Sequence, residues 1–305
     1  MVKSNKQKRQ VIKQKRLQKT MQSKPSFTKE QQLSYNPDYL VNFNSSITMD
    51  WSKLSDAMQQ IIKKAYAIFS VYTAPEHFNV CTACCVSLEE EKALRTLPLS
   101  LLPRQLIYSY NVSAKSQQNN KSEVAYLLPR ILELIALDED IHHSTELNLT
   151  WLFTVSHELW TDQEKDLLAE FALQYLKDKF QQAEQNQKIV MIDEILIMFC
   201  SASINIEPLL DYMAQHSNFY IIASIAFLIS WNKGGESYIS NSFATNCPQI
   251  NIIFNHWLEK NSILLQQNAD HAILNPNTLS EHERTMYYIE QGLFELSHHL
   301  VNIQY

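Results

Sequence analysis

"TDQEKDLLAEFALQYLKDKFQQAE", residues 161–184, decides the fold class. Thr161 followed three positions on by Glu164 is a capping box, in which each side chain satisfies the other's free backbone N–H at a helix start. Leu167, Leu168, Phe171, Ala172, Tyr175, Leu176 and Phe180 then recur at spacings of three and four, an apolar stripe of the kind a helix buries. Glu164, Lys165, Lys177 and Lys179 fall outside the stripe and read as a solvated face. The spacing predicts a long amphipathic helix over 162–184.

The same signature repeats outward in both directions. "WSKLSDAMQQIIKKAYAIF", 51–69, carries Leu54, Met58, Ile61, Ile62, Ala65 and Phe69 on one side. Ser87 with Glu90, and Ser280 opening the last segment, are two further helix starts. "LPLSLLPRQLIYSY" and "SEVAYLLPRILELIAL" read as two helices joined by the polar loop "NVSAKSQQNNK", with Pro129 near the second helix's start or kinking it. "KIVMIDEILIMFCSA", 188–202, reads as a helix with a strand as alternative, since it is rich in Ile. "EPLLDYMAQHS" and a segment near 249–267 add helices. "FYIIASIAFLISW", 219–231, is apolar nearly all round but too short for a membrane span, so it reads as a buried core helix.

Glycine usage agrees. The chain has three, at 234, 235 and 292, where roughly 7% is usual. Parallel α/β folds need glycine at strand-to-helix turns, whereas inside helices it costs about 1 kcal/mol against alanine. The expected fold is all-α, a multi-helix bundle or an irregular stack of helical pairs, with a basic disordered N-terminal tail. "Leu-Leu-Pro-Arg" at 101–104 and 127–130 has no third copy and is no solenoid repeat.

Charge divides the chain. Residues 1–29 carry ten Lys/Arg and no acid, which leaves a balance of −16 on the rest. The tail lacks the 7–15-residue apolar core of a secretory signal. Residues 30–50 read as a linker and 51–305 as a helical body, with a possible subdomain boundary near 232–248. Five cysteines, an odd number, make no secreted disulfide framework in a chain of 305 residues. The expected location is cytoplasmic, with the cysteines reduced.

Few catalytic signatures survive inspection. So few glycines exclude a Walker loop, a dinucleotide fingerprint and a nucleophile elbow. His157-Glu158 and His282-Glu283 each begin an H-E-x-x-H, but Thr161 and Met286 stand where the second histidine belongs. Asp138, Glu139, Asp140, His142 and His143 read as a solvated turn, and His298-His299 as surface groups complementing a helix end.

One cluster stays open. "HFNVCTACC", 77–85, sets Cys81 and Cys84 as a CxxC knuckle with His77 and Cys85 beside it. A zinc site needs four ligands, and a second knuckle is missing. Cys84 and Cys85 look too close in sequence to chelate together comfortably, so Cys200 or a distant histidine would have to complete the shell. A redox role fits thiols just before a helix N-terminus, where the dipole lowers their pKa, but there is no βαβ context for it. The plain alternative is packing, since cysteine behaves as a small hydrophobe.

The stretch 72–137, "YTAPEHFNVCTACCVSLEEEKALRTLPLSLLPRQLIYSY…EVAYLLPRILELIAL", resembles a family of uncharacterised bacterial proteins. The shared positions are Cys81, Cys84, Cys85, Pro98-Leu99 and Leu128-Pro129-Arg130. The resemblance implies a bacterial cytosolic protein and no mechanism. The spacer here is rich in Asn and Gln, where that family has acids.

Three functions follow as expectations. The first is a non-enzymatic interaction module whose acidic body engages a protein partner, in particular a basic one. The second is a metal-binding or thiol protein with His77, Cys81, Cys84 and Cys85 as ligands and zinc as the ion. The third is nucleic-acid association through Lys6, Lys8, Arg9, Lys13, Lys15 and Arg16, contacting phosphates without sequence preference.

Overall fold

The computed structural model describes residues 50–115, 120–216, 218–231 and 237–298. The basic tail, including Lys6, Lys8, Arg9, Lys13, Lys15 and Arg16, and the linker through residue 49 lie outside the described residues. From Asp50 onward the described chain forms one compact unit. It is built of α-helices and short 3₁₀ turns, with no strand among the described residues. The all-α expectation holds, and 188–202 is helical from Ile192.

Among the described residues twelve α-helices follow in order: α1 Asp56–Ile68, α2 Leu88–Thr96, α3 Arg104–Val112, α4 Lys121–Ala136, α5 Thr150–Phe153, α6 Asp162–Asn186, α7 Ile192–Ser201, α8 Glu207–Gln215, α9 Phe219–Trp231, α10 Ile250–Lys260, α11 Ser262–Leu274 and α12 Glu283–His298. At 1.5 Å per residue, α6 is about 37 Å long, and it joins two groups of helices. On one side it packs against α1, which also packs on α4; on the other it meets α8 and α9. The closest partnership is α9 with α12, and α11 covers both.

Local signals place many of the helix starts. Ser87 and Thr161 make complete capping boxes with Glu90 and Glu164. Ser280 does not. Its amide donates to the Gln187 carbonyl at 2.6 Å, and α12 starts three residues later at Glu283. Pro129 neither starts nor ends a helix. It sits inside α4, whose residues from Val124 to Ile135 are almost all buried, so packing on every side offsets the missing N–H. Pro103 instead breaks the segment before it, leaving a 3₁₀ turn at Leu99–Leu101 and then α3. The segment near 249–267 is also broken. Asn261 ends α10, its side-chain amide donating to the Trp257 carbonyl at 2.9 Å, and α11 begins at Ser262.

The largest departure from the sequence pattern is the place of the acids. Six glutamates, Glu90, Glu91, Glu123, Glu133, Glu146 and Glu164, are buried. Burying a carboxylate is costly unless it is paired and hydrogen-bonded; Glu91, Glu133 and Glu164 each face a cation, and Glu90, Glu123 and Glu146 are held by hydrogen bonds. Glu133 accepts from Trp51 Nε1 at 2.7 Å and from the Tyr66 hydroxyl at 2.6 Å. Arg130 Nη1 lies 2.8 Å from Glu133, out of line for a hydrogen bond, while Arg130 Nε donates to the Leu102 carbonyl. Glu164 belongs to no solvated face. It accepts from Tyr72 at 2.6 Å and from Lys121 at 2.8 Å, and its carboxyl is held below the usual range, burial opposing and the Lys121 and Tyr72 contacts prevailing. Glu133 and Glu164 each stitch together segments far apart in sequence. The −16 balance is therefore partly interior, not all surface.

Candidate metal centre

The loop carrying the cysteines joins the 3₁₀ turn Phe69–Val71 to α2 and is fastened by side chains from three other segments. The Phe78 amide donates to Glu91 at 3.0 Å, the Asn79 amide to Glu123 at 3.0 Å and the Cys81 amide to Ser113 Oγ at 2.9 Å. Arg95 grips the same Glu91 carboxylate at 2.9 and 3.0 Å, and Tyr110 donates to Glu123 at 2.9 Å. Phe78 is buried edge-on against Tyr110, and Val86 is buried at the other end. Hydrogen bonds to charged groups contribute roughly 1.5–3 kcal/mol each, so the loop is clamped at several points before any ligand arrives.

Between the clamps the chain makes one tight turn. The amides of Cys85 and Val86 both donate to the Cys81 carbonyl at 3.1 Å. The turn brings three sulfurs together: Sγ of Cys84 is 3.2 Å from that of Cys81 and 3.2 Å from that of Cys85. Cys84 is exposed and the other two are half-exposed. The discomfort expected of neighbouring Cys84 and Cys85 at one ion is answered by the geometry: their sulfurs lie 3.2 Å apart, and all three within 4.8 Å of one another.

Among the described residues, this is the one grouping of His, Cys, Asp and Glu within reach of a single ion. His77 is not part of it. Its side chain is 77% exposed, and its Nδ1 faces Glu91 at 3.9 Å. Cys200 cannot complete the shell either. It is disulfide-bonded to Cys247, with Cα atoms 5.9 Å apart and both residues buried. The expectation of an all-thiol chain fails there, because the 3₁₀ turn Ser242–Asn246 packs on α7 and delivers Cys247 to Cys200.

The thiols are electrostatically unequal. Cys81 is held below the ordinary cysteine value by a hydrogen bond from the Cys84 thiol and by the amides of Ala83 and Cys84. Cys84, hydrogen-bonded to Cys81 and to Cys85, is pushed up to about 12. Of these two, Cys81 is the more readily ionised. Such a group can ligate a soft ion or attack a disulfide.

A second locus escaped the sequence reading. Three adjoining hollows, of about 280, 510 and 820 Å³, all have Glu194 in their walls. Asn241 donates to the buried Glu146 and, at 3.4 Å, to Asp193. Burial, and then the neighbouring carboxylates, raise both Asp193 and Glu194 above the usual range. The turn at 138–143 lines the middle hollow, where burial pushes His142 down to about 4. That turn is part of a cavity wall rather than merely solvated. Its members come from segments a hundred residues apart, and no local motif announces them.

No family model, no curated protein and no solved structure matches the chain. No helix among the described residues is long and apolar enough to cross a membrane.

Proposed function

We propose that this chain is a binding protein for a soft, thiophilic metal ion, zinc being the first to try, held by Cys81, Cys84 and Cys85 on a non-catalytic helical scaffold. The observation that carries this reading is the gathering of three sulfurs, 3.2 Å apart in sequence along the trio, on a loop clamped from outside. Thiolate ligands select Zn²⁺, Cu⁺ and similar ions. Preorganisation means that binding need not first order the loop. The experiment is reconstitution of the reduced full-length chain. About one ion per chain should survive dialysis and shield the three thiols from alkylation, while Cys81→Ser should lose both. Rapid alkylation of all three thiols in the ion-loaded protein would end the proposal.

A second reading, docking of a protein partner, has its own support in α11. Ile263 and Leu274, at the two ends of this helix, are 68% and 79% exposed, and large exposed apolar side chains offer surface that a partner would cover. An Ile263→Asp, Leu274→Asp variant that keeps every partner crosslinked by the wild-type chain would remove that support. Salt-sensitive association of the basic tail with nucleic acid remains a further proposal, tested by the slope of affinity against salt.

A further inference from the structure

The thiophilic-ion reading leaves open which ion, and the geometry narrows it. At a metal–sulfur bond of about 2.3 Å, tetrahedral ligands stand about 3.8 Å apart and trigonal-planar ones about 4.0 Å. A pyramidal ion whose lone pair closes its bond angles toward 90° needs sulfurs only about 3.3 Å apart at that bond length. Both contacts from Cys84 measure 3.2 Å. Zinc would also lack a fourth protein ligand. His77 points at Glu91, and no other described His, Cys, Asp or Glu joins the group.

Resting on that reading, we infer that Cys81, Cys84 and Cys85 form a three-sulfur cup for a trivalent thiophilic ion of the arsenite class. The chemistry balances without an oxidant. Uncharged As(OH)₃ condenses with three thiols; three S–H and three As–O bonds break, three As–S and three O–H bonds form, and three waters leave. Sulfur and arsenic keep their oxidation states, and no net charge or proton is released. Zinc binding to the same three thiols must expel three protons. The exposure of Cys84 gives the incoming ion its entry point.

The test uses the full-length chain, reduced and kept free of oxygen, titrated with arsenite while near-ultraviolet sulfur-to-arsenic absorbance is followed. Zinc affinity is measured in parallel by competition with a chromophoric chelator. Arsenite should bind one per chain with an affinity nearly constant from about pH 6 to 8. Zinc affinity should fall by up to about a thousandfold per pH unit on acidification, as expected for three displaced protons. Cys81→Ser, Cys84→Ser and Cys85→Ser, each checked for unchanged helicity, should each weaken arsenite binding by at least about tenfold. Zinc binding tightly while arsenite fails to displace it would overturn this inference and leave the thiophilic-ion reading intact. An arsenite adduct that leaves one of the three thiols free to alkylate would overturn the cup. If neither ion binds, both proposals fall.

Discussion

Gly292 offers the sharpest test of the packing, because two principles predict opposite signs. It lies in α12, buried, where alanine is normally better by about 1 kcal/mol. Yet a Cβ there would sit 1.9 Å from the Ala226 carbonyl oxygen, 2.4 Å from its carbon and 2.8 Å from its Cα. All three atoms are backbone of α9, so no rotamer change can make room. Relief requires α9 and α12 to part locally by more than 1 Å, roughly the gap between 1.9 Å and an ordinary contact of about 3.5 Å. Overpacking typically costs about 1–3 kcal/mol, and here the separation also loosens Ile289, Leu293 and Leu296. Taking the upper end, about 3 kcal/mol, because the obstacle is backbone, and subtracting the propensity gain of about 1 kcal/mol, Gly292→Ala should lose about 2 kcal/mol. For a unit of this size that is a fall of roughly 4–8 °C in melting temperature. Gln291→Ala, exposed on the same helix, should stay within about 0.5 kcal/mol of wild type. Calorimetry on both variants reads the difference. Adding Ala226→Gly should not rescue Gly292→Ala, because the obstacle is a carbonyl, not a methyl. A Gly292→Ala protein that melts at or above wild type, or one rescued by Ala226→Gly, would refute the reasoning.

Reducing the Cys200–Cys247 disulfide, which closes a loop of 47 residues, should remove about 4 kcal/mol on the chain-entropy model; an unchanged melting temperature in strong reductant would contradict it. Lys115 is 3.3 Å above the Tyr110 ring, without a hydrogen-bond partner, and burial pushes its amine down from 10.5 to about 7. Between those values the unfolded chain binds more protons, so stability should rise with pH from about 7 to 10.5. Lys115→Met should abolish that slope and gain roughly 3 kcal/mol below pH 7, after allowing for the lost cation–π contact; urea melts at pH 6 and 9 decide. Asp193 has the opposite sign. Its folded pKa is raised from 3.8, so its penalty is absent below 3.8 and grows as pH rises through the folded value. Asp193→Asn should therefore be more stable than wild type at neutral pH and no different at pH 3, and equal stability at both would count against the buried-carboxylate account.

What was legible in the sequence was local. Thr161–Glu164 and Ser87–Glu90 are contacts across one turn, and the stripe from Leu167 to Phe180 is one face of one helix, so periodicity finds them. The CxxCC turn was visible as a cluster, but whether Cys84 and Cys85 point together depends on two amides that share the Cys81 carbonyl. Glu164 shows the limit. Its spacing, three before Leu167 and four before Leu168, lines it up with the apolar stripe, its charge suggested a solvated face, and only the arrival of Tyr72 and Lys121 from other segments makes burial tolerable. The same holds for Pro129, acceptable mid-helix because α4 is enclosed, and for the Glu146–Asn241–Asp193 contacts, which exist only after the chain has folded back twice.

Helix α9 has a consequence in time as well as in space. Its thirteen residues are apolar on every side, and its neighbours come from both directions along the chain: α6 and α7 before it, α11 and α12 after. The last residue of α12 lies 67 positions beyond Trp231. At roughly 5–20 residues per second, synthesis leaves one flank of α9 uncovered for about 3–13 s. A chain cut anywhere between α9 and α12 keeps that flank bare for good. Sixteen residues at the far end of the chain thus act as the closure that separates a finished molecule from a sticky intermediate.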